Sequence, residues 1–546
     1  MTSSSLPRLR AALPLRPGSN RPLKWPTEGP APLIFALPLA LCSGATMAGS
    51  FAPPAIGWLA PLAIALLVAA LRGCRPRRAF LLGFMSGAAF FVLLMPWLTV
   101  VGIDAWLLLS AFCALWFGLA GIGIALVTRL PGWPWWVAGI WVLQEALRGR
   151  VPLGGFPWGR LAYGQPDTSM GRLAWLAGQP GVSFAIVVAG CAVLAALLAV
   201  RQRQWARAAG WVGVSAFLGL GSALVPLPTV GDQVGGAPSA VIAAIQGGTP
   251  QTGMGAMDVR RAVLDNHVTQ TLALAEAVNR GESPQPAFVL WPENASDIDP
   301  FVDPLAAQSI RGAAGAIDAP ILVGAVVNVP DNPQGLWNLG VVWDPKSGPG
   351  QRYAKTHPVP FGEYVPFREV LAKVIGRFDR IPRDFVPGTT PGNMVIGGVA
   401  VGNVICFEVA YDDVIDPVIS GGARVLTVQT NNATYQGTGQ PAQQLQIERM
   451  RAIQTGRSVV VAATSGISAI IAPDGSVRSD LGEGEVGFLD DPVVLRGADS
   501  PSSVLGPYLE WLLVLIGLGP VAWVIARRWL PRQQDDVGGP GRKVDL

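Results

Sequence analysis

The order of apolar and polar positions divides the chain into three parts. Apolar runs occupy about 32–51, 55–71, 80–98, 103–127, 132–147, 180–200 and 209–226, and an eighth covers about 505–526. Each is near the roughly 20 residues that carry a helix across a bilayer. The pattern predicts seven transmembrane helices within 32–226 and an eighth at 505–526. Between them the period changes. Strand-like runs appear at 240–246, 286–291, 320–328, 338–343, 399–406, 424–430, 458–463 and 467–472, the last closed by the turn pair Asp474-Gly475. Helical spacing intervenes. Leu264, Val268, Leu272, Ala275 and Val278 mark one face over about 256–280, and Leu445, Ile447, Met450 and Ile453 mark another over 441–456. Strands alternating with helices predict an α/β domain, here within 227–504, with helices packed against a sheet. No internal repeat is present.

Composition agrees with a polytopic membrane protein, since half the residues are hydrophobic, 14% are charged and 19 are tryptophan. A net charge of +4 gives no footprint of a nucleic-acid partner. Its distribution says more. Residues 1–31 are Pro- and Arg-rich without apolar periodicity and read as a disordered basic tail. Basic clusters recur at Arg72/Arg75/Arg77/Arg78, at Arg129 and at Arg201/Arg203/Arg207, and Arg527-Arg528 follow the eighth run. Placed on the cytoplasmic side, they alternate consistently and send 227–504 to the outer face, with a second cytoplasmic tail at 527–546. The first run ends in small residues (Ser43, Gly44, Ala45) but is long for a signal peptide, and further spans follow at once, so it reads as an uncleaved helix. The connection 148–179 departs from the charge rule, with Arg148, Arg150, Arg160 and Arg172 on the outer side. Its Gly154-Gly155-Phe156-Pro157-Trp158 turn suits either a plain interfacial loop or a basic surface facing headgroups or the soluble domain.

Candidate chemistry narrows quickly. Of five cysteines, Cys42, Cys74, Cys113 and Cys191 lie in or beside apolar runs, and no spacing suggests disulfides or a metal site. Cys406 ends an apolar strand, with Phe407-Glu408 and then a helical pattern behind it. That is the strand–turn–helix arrangement that exposes a nucleophile; the alternative is a small buried core residue. The chain has only His267, inside a predicted helix, and His357, between Thr356 and Pro358, so histidine-based schemes are poorly supported. Asp297, Asp299 and Asp303 lack the glycine and distal glutamate of a calcium loop, and no cofactor motif is found. A different base is available. Glu293 ends the apolar strand Pro286–Trp291-Pro292, and burial there raises a carboxyl toward a thiol. Lys355 ends another segment, and a protonated lysine can hold an oxyanion. Glu363 lies eight residues further on.

The ordered set Trp-Pro-Glu293, Lys355, Cys406-Phe-Glu408 resembles the nitrilase superfamily. With the surrounding spans, Phe156-Pro157-Trp158, Phe361–Pro366 and Arg449–Ala452, it is similar to the membrane-bound bacterial apolipoprotein N-acyltransferases over about 32–526. The resemblance implies a polytopic α-helical membrane protein carrying an extracytoplasmic α/β, nitrilase-like α-β-β-α sandwich in the cell membrane. It implies Glu293 as general base, Lys355 as oxyanion stabiliser and Cys406 as nucleophile, with Glu363 and Glu408 in support and neither metal nor cofactor. Two departures are visible. Phe407 stands where the family often has tyrosine, and Gln251–Met257 lacks the tryptophan often found there.

The implied reaction has two halves. An acyl chain passes from a phospholipid to Cys406 as a thioester, and then to the α-amine of a diacylated apolipoprotein acceptor. Apolar residues interleaved with Arg368, Lys373, Arg377 and Arg380 over 361–381 suit an interfacial arm at the entrance, or else an amphipathic helix packed on the sandwich. Two alternatives stand beside this reading. One is a membrane-anchored carbon-nitrogen amidase that uses water as second nucleophile. The other is a non-catalytic scaffold for a polyprenol-phosphate glycosyltransferase such as a mannosyltransferase, against which the intact triad argues.

Overall fold

The computed structural model describes residues 29–228, 238–251, 253–254, 260–371, 376, 378 and 381–529. The two expected tails lie almost wholly outside these residues, as does most of the tryptophan-free stretch 251–257. Every apolar run is helical. The first seven form α1 (Leu33–Ala48), α2 (Leu59–Leu71), α3 (Pro76–Leu94), α4 (Ile103–Val127), α5 (Trp133–Arg148), α6 (Leu173–Arg201) and α7 (Trp205–Leu220).

Among the described residues four helices are long and apolar enough to cross a membrane: α3, α4, α6 and the C-terminal helix beginning at Pro507. Eight spans are expected, and the helices on the eight runs are of unequal length. The reason is local. The second run loses residues 55–58 to the turn that follows Pro53 and Pro54, which leaves α2 with 13 residues, about 20 Å of helix against a ~30 Å hydrocarbon core. Further along, α6 begins earlier than its apolar run and is interrupted at Gly178, whose φ of 62° is not helical, just before Pro180.

The intervening domain is a two-sheet sandwich. Its strands are β1 (Ser239–Gln246), β2 (Phe288–Leu290), β3 (Ile321–Val329), β4 (Asn332–Asp344), β5 (Gly348–Ala354), β6 (Asp384–Phe385), β7 (Asn393–Ile396), β8 (Val399–Ile405), β9 (Val425–Thr430), β10 (Ser458–Ala463), β11 (Ser468–Ile471), β12 (Val477–Leu481), β13 (Gly487–Leu489) and β14 (Pro492–Val494). One sheet runs β13-β1-β2-β3-β4-β5, with β14 on β1 and β6 on β4; the other runs β12-β11-β10-β9-β8-β7. β1, β2 and β3 are parallel to one another, and so are β8, β9 and β10.

All eight predicted strands are present. The six short or Gly- and charge-rich ones, β5–β7 and β12–β14, carry too little alternation to be read beforehand. The helices are α8 (Arg260–Asn279), α9 (Pro304–Ile317), α10 (Arg368–Leu371), α11 (Asp412–Ser420), α12 (Gln440–Thr455), α13 (Pro501–Leu505) and α14 (Pro507–Trp529).

Strand alternation builds the layers. Ile242, Phe288 and Leu322 of one sheet meet Val401, Val425 and Val460 of the other. Outward-facing Val289 and Val323 meet Leu264, Leu274, Ile310 and Ile317 of α8 and α9. On the opposite face Val404, Val428 and Val461 join Ile415, Ile447 and Ile453 of α11 and α12 in a core continuous with the membrane helices. The sandwich is thus α-β-β-α. The Asp299 and Asp303 carboxylates of the calcium-like trio have backbone work instead. Asp303 caps α9 through the N–H groups of Leu305 and Ala306 at 2.8 and 2.9 Å, and Asp299 accepts from the Asn328 N–H at 2.9 Å.

The last helix is fastened to the bundle by a glycine contact. A Cβ on Gly139 of α5 would lie 2.3 Å from the backbone nitrogen of Gly517 in α14, so the two backbones touch and no side chain fits between them. Gly139→Leu is expected to part α5 from α14 and to lower the thermal unfolding midpoint in detergent by several degrees. Gly213→Leu on α7, where nothing lies within 4 Å of the Cβ position, should leave that midpoint in place.

Candidate active site

Each predicted reacting residue sits just past the C-terminal end of a strand. Glu293 follows β2, Lys355 follows β5 and Cys406 follows β8, so the two sheets deliver them to the same end of the sandwich. Lys355 and Glu293 are buried. The Lys355 ammonium donates to Glu293 Oε1 at 2.9 Å and to Glu363 Oε1 at 3.0 Å. Asn338 of β4 donates to the same two oxygens at 2.7 and 3.0 Å, while the Asn431 N–H holds Glu293 Oε2 at 2.9 Å. Glu363 is therefore a second carboxylate on the lysine. Burial alone would push the Lys355 ammonium down, but Glu293 and Glu363 hold it well above the ordinary lysine value. Asn338 and Asn431 were not singled out from sequence, because an asparagine in or beside a strand carries no periodic signal.

Cys406 adopts φ of 55°, the left-handed region that a side chain enters only at a cost of about 1–2 kcal/mol. It opens a one-turn 3-10 helix, Cys406–Ala410. The thiol is lifted out of the strand line, and the first N–H groups of the turn are left without helical partners. Burial and then the Glu293 carboxylate push the thiol up to about 12, against Lys355 and the Thr430 hydroxyl, which pull it down. The resting centre thus holds a neutral thiol, a carboxylate able to take its proton and an ammonium able to face a developing oxyanion.

Glu408 has another task. It is fully buried and accepts from Tyr353 OH at 2.9–3.0 Å, Thr356 N–H at 2.6 Å, His357 N–H at 3.1 Å and Ile405 N–H at 2.8 Å. One carboxylate thereby ties the strand leading to Cys406 to the segment bearing Lys355.

Neither histidine approaches the thiol chemistry. His267 is buried, with Nδ1 donating to the Val263 carbonyl at 2.7 Å and Nε2 accepting from Gly247 N–H; burial lowers it to about 4. His357 stacks on Tyr411 at 4.3 Å and pairs with Asp413 at 3.1 Å.

The connection between α5 and α6 closes over the elbow. Phe407 lies between Phe156 and Trp158, with ring centroids at 5.6 and 5.5 Å and planes inclined by 22° and 15°. The Tyr411 hydroxyl donates to the Gly155 carbonyl at 3.0 Å, and the Tyr163 hydroxyl to the Ala410 carbonyl at 2.7 Å. Of the two readings of the 148–179 arginines, the one facing the soluble domain holds for Arg160. It pairs with Asp412, which also receives Arg451 at 2.6 Å. Burial would raise the Asp412 carboxyl, but the two guanidinium groups hold it well below the usual range. Arg150 pairs with Glu510 of α14, and Arg172 donates to the Val225 carbonyl.

Residues 43–192 match the family described as apolipoprotein N-acyltransferase N-terminal domain, and residues 276–495 match carbon-nitrogen hydrolase. The apolipoprotein N-acyltransferase of Mycolicibacterium smegmatis is 39% identical over 519 residues, covering 91% of this chain and 86% of that protein. The chain belongs to the apolipoprotein N-acyltransferase family. The Chromobacterium violaceum member is 29% identical over 511 residues, covering 90% of this chain and 93% of its own. Among solved structures, an amidase of Nesterenkonia AN1 from the nitrilase superfamily aligns with 53% of this chain and 98% of its own at 17% identity and a TM-score of 0.34.

Within this family frame Phe407 has a physical reason. A ring pressed on both sides by Phe156 and Trp158 needs no hydroxyl to be held, so stacking takes the place of the absent hydrogen bond. Glu408→Ala should remove the acceptor of three backbone N–H groups, that of Ile405 buried and those of Thr356 and His357 part-buried, and of the Tyr353 and Thr356 hydroxyls. At about 1–3 kcal/mol for each unpaired group, a loss of stability above about 2 kcal/mol is expected, read from the unfolding midpoint. Glu363→Gln, which keeps shape and most hydrogen bonds at the partly open end of the lysine pair, should lose far less.

Proposed function

We propose that the protein transfers an acyl chain from a phospholipid, by way of a thioester on Cys406, to the α-amino group of the N-terminal S-diacylglyceryl-cysteine of lipoproteins. The single observation that carries this reading is the clamp on Phe407. The residue beside the nucleophile is held by Phe156 and Trp158 of a segment between two membrane-domain helices, which suits substrates arriving from a bilayer.

In the first half-reaction Glu293 takes the proton of Cys406, and the thiolate attacks the ester carbonyl. The oxyanion faces the Lys355 ammonium and the free N–H groups of the 3-10 turn. Collapse breaks the ester C–O bond, Glu293 returns its proton to the leaving alkoxide, and lysophospholipid departs. In the second half the acceptor amine gives a proton to Glu293 and attacks the thioester. The C–S bond breaks, the amide remains and the thiol is restored. Glu363 holds the lysine from its far side, and Glu408 sets the backbone of the elbow.

The arginine clusters support placing 227–504 on the outer face of the cell membrane, with both chain ends in the cytoplasm. The 361–381 segment supports an entrance at the interface. Among its described residues Arg368–Leu371 forms one helical turn with none of its residues buried, and Phe367 and Val370 are 76% and 64% exposed.

Reporter fusions at Arg75 and Arg203 are expected to report cytoplasm, and one at Asp331 the outer face. A cytoplasmic signal from Asp331 sinks the orientation.

The chemistry is tested by mixing the purified protein with phospholipid alone. An acyl adduct on Cys406, cleaved by neutral hydroxylamine, should form with release of lysophospholipid. It should then discharge onto a diacylated lipopeptide only when the α-amine is free. Glu293→Gln should slow adduct formation about 10²–10⁴-fold and Lys355→Ala about 10²–10³-fold, while His357→Gln should leave it nearly unchanged. An adduct that hydrolyses as fast as it transfers points to an amidase instead.

A further inference from the structure

The nucleophile has a neighbour that the Glu-Lys-Cys scheme does not use. β8 and β9 run parallel with Ile405 opposite Gln429, so the next residues of the two strands, Cys406 and Thr430, emerge side by side at the sheet end. The Thr430 hydroxyl lies 3.3 Å from Cys406 Sγ and 3.1 Å from Asn432 Oδ1. It has one proton and two acceptors. Which acceptor it serves is restricted from behind.

Gln444 Nε2 donates to Thr430 Oγ1 at 3.0 Å, so a hydroxyl lone pair is already occupied and the proton points away, toward the sulfur or Asn432. The Gln444 amide cannot turn over, because its oxygen accepts from Asn432 Nδ2 at 3.0 Å and from Gln440 Nε2 at 3.2 Å. Its second N–H donates to Glu448 Oε1, one turn further along α12, at 3.0 Å. Thr430, Gln444 and Glu448 are each no more than 2% exposed. This is a closed chain of hydrogen bonds ending on the reacting atom.

We propose that Thr430 is a further catalytic residue, whose hydroxyl proton swings from Asn432 to the sulfur of Cys406 when the thiol ionises, and that Gln444 and Glu448 are positioning residues that aim it. The proposal rests on Cys406 being the nucleophile. At rest the thiol carries its own proton, and the hydroxyl is satisfied by Asn432. When Glu293 takes the thiol proton, the sulfur becomes the better acceptor, and the Thr430 O–H bond rotates to it without breaking. When the thioester forms the charge leaves the sulfur, and the hydroxyl returns. Burial pushes the Glu448 carboxyl up to about 8, so this end of the chain brings no full negative charge to oppose the thiolate at neutral pH.

The test uses the full-length protein in detergent. The rate of alkylation of Cys406 by iodoacetamide is followed by mass spectrometry as a function of pH, which reads thiolate formation without any lipid. Thr430→Val is expected to raise the apparent pKa of Cys406 by about one unit or more and to slow adduct formation from phospholipid about tenfold or more, the size of a hydrogen bond to a charged group. Thr430→Ser, which keeps the hydroxyl, should restore both. Glu448→Leu should reproduce part of the pKa shift, Glu448→Gln should rescue it, and Glu448→Leu added to Thr430→Val should cause no further change.

A Thr430→Val profile that overlies that of the wild type overturns the proposal, and so does a serine variant as defective as valine. A full Glu448→Leu effect in the Thr430→Val background overturns the positioning role. If alkylation shifts as expected but phospholipid leaves no adduct on Cys406, the acyl-transfer reading fails while the role of Thr430 at the thiol stands.

Discussion

The left-handed backbone at Cys406 is the constraint on which the rest of the site depends. A cysteine does not take φ of 55° unless its surroundings compel it, and here two sets of bonds do so from opposite sides. From the sandwich side the Glu408 carboxylate gathers Ile405, Thr356, His357 and Tyr353. On the other side the turn after Cys406 is held at its carbonyls, by Arg451 of α12 on Val409 at 2.7 Å and by Tyr163 of the α5–α6 connection on Ala410. Asp412, the first residue of α11, is held by Arg160 of that connection and by Arg451. The sandwich and the connection between membrane-domain helices thus share the bonds that fix the turn at Cys406.

Charge within the site follows from burying a lysine between two carboxylates. Water is excluded, so Coulombic attraction is strong enough to keep Lys355 protonated despite burial. The same exclusion works against the thiol, which stands near 12. Under the proposed reaction, thiolate would form by proton transfer within the site, with the Lys355 ammonium beside it to face the oxyanion.

Much of this was legible in the sequence, and the parts that were not share a cause. The eight helices and the eight stronger strands follow from apolar periodicity. Glu293, Lys355 and Cys406 stood out at strand ends only as weak signals, and their order along the chain, as in the nitrilase superfamily they resemble, brought them together. The lengths of the membrane helices were overread, because apolar residues in a turn, such as Ala55 and Ile56 ahead of α2, count in a window as if they were helical. Asn338, Thr430 and Asn431 were missed, since a polar residue at or near a buried strand end looks like any strand boundary until its partner is placed opposite. The arginines of 148–179 were read as a departure from the charge rule. Asp412 and Glu510 stand beside Arg160 and Arg150, and a cation paired within the fold, as the buried Arg160 is, carries little topological signal.

α12 shows how the two halves came to share one core. Its sequence has an apolar face too thin for a helix buried on all sides, and glutamines fill the remainder. Gln443 accepts from the Trp158 and Trp97 indoles at 2.8 and 3.2 Å and donates to the Leu94 and Ala52 carbonyls at 2.8 and 3.1 Å. Gln446 accepts from the Ala52 N–H at 2.9 Å. The Leu94 carbonyl ends α3, where backbone groups lack partners within the helix, and Ala52, Trp97 and Trp158 lie in the connections between membrane-domain helices. An amide side chain can satisfy a donor and an acceptor together, which a charged side chain cannot. The glutamines on one side of α12 therefore bind the membrane domain, while Gln444, on the adjoining side, binds Thr430 next to Cys406. The charged contact of the same helix, Arg451, is neutralised by Asp412, so amides and one ion pair together join the membrane domain to the turn at Cys406.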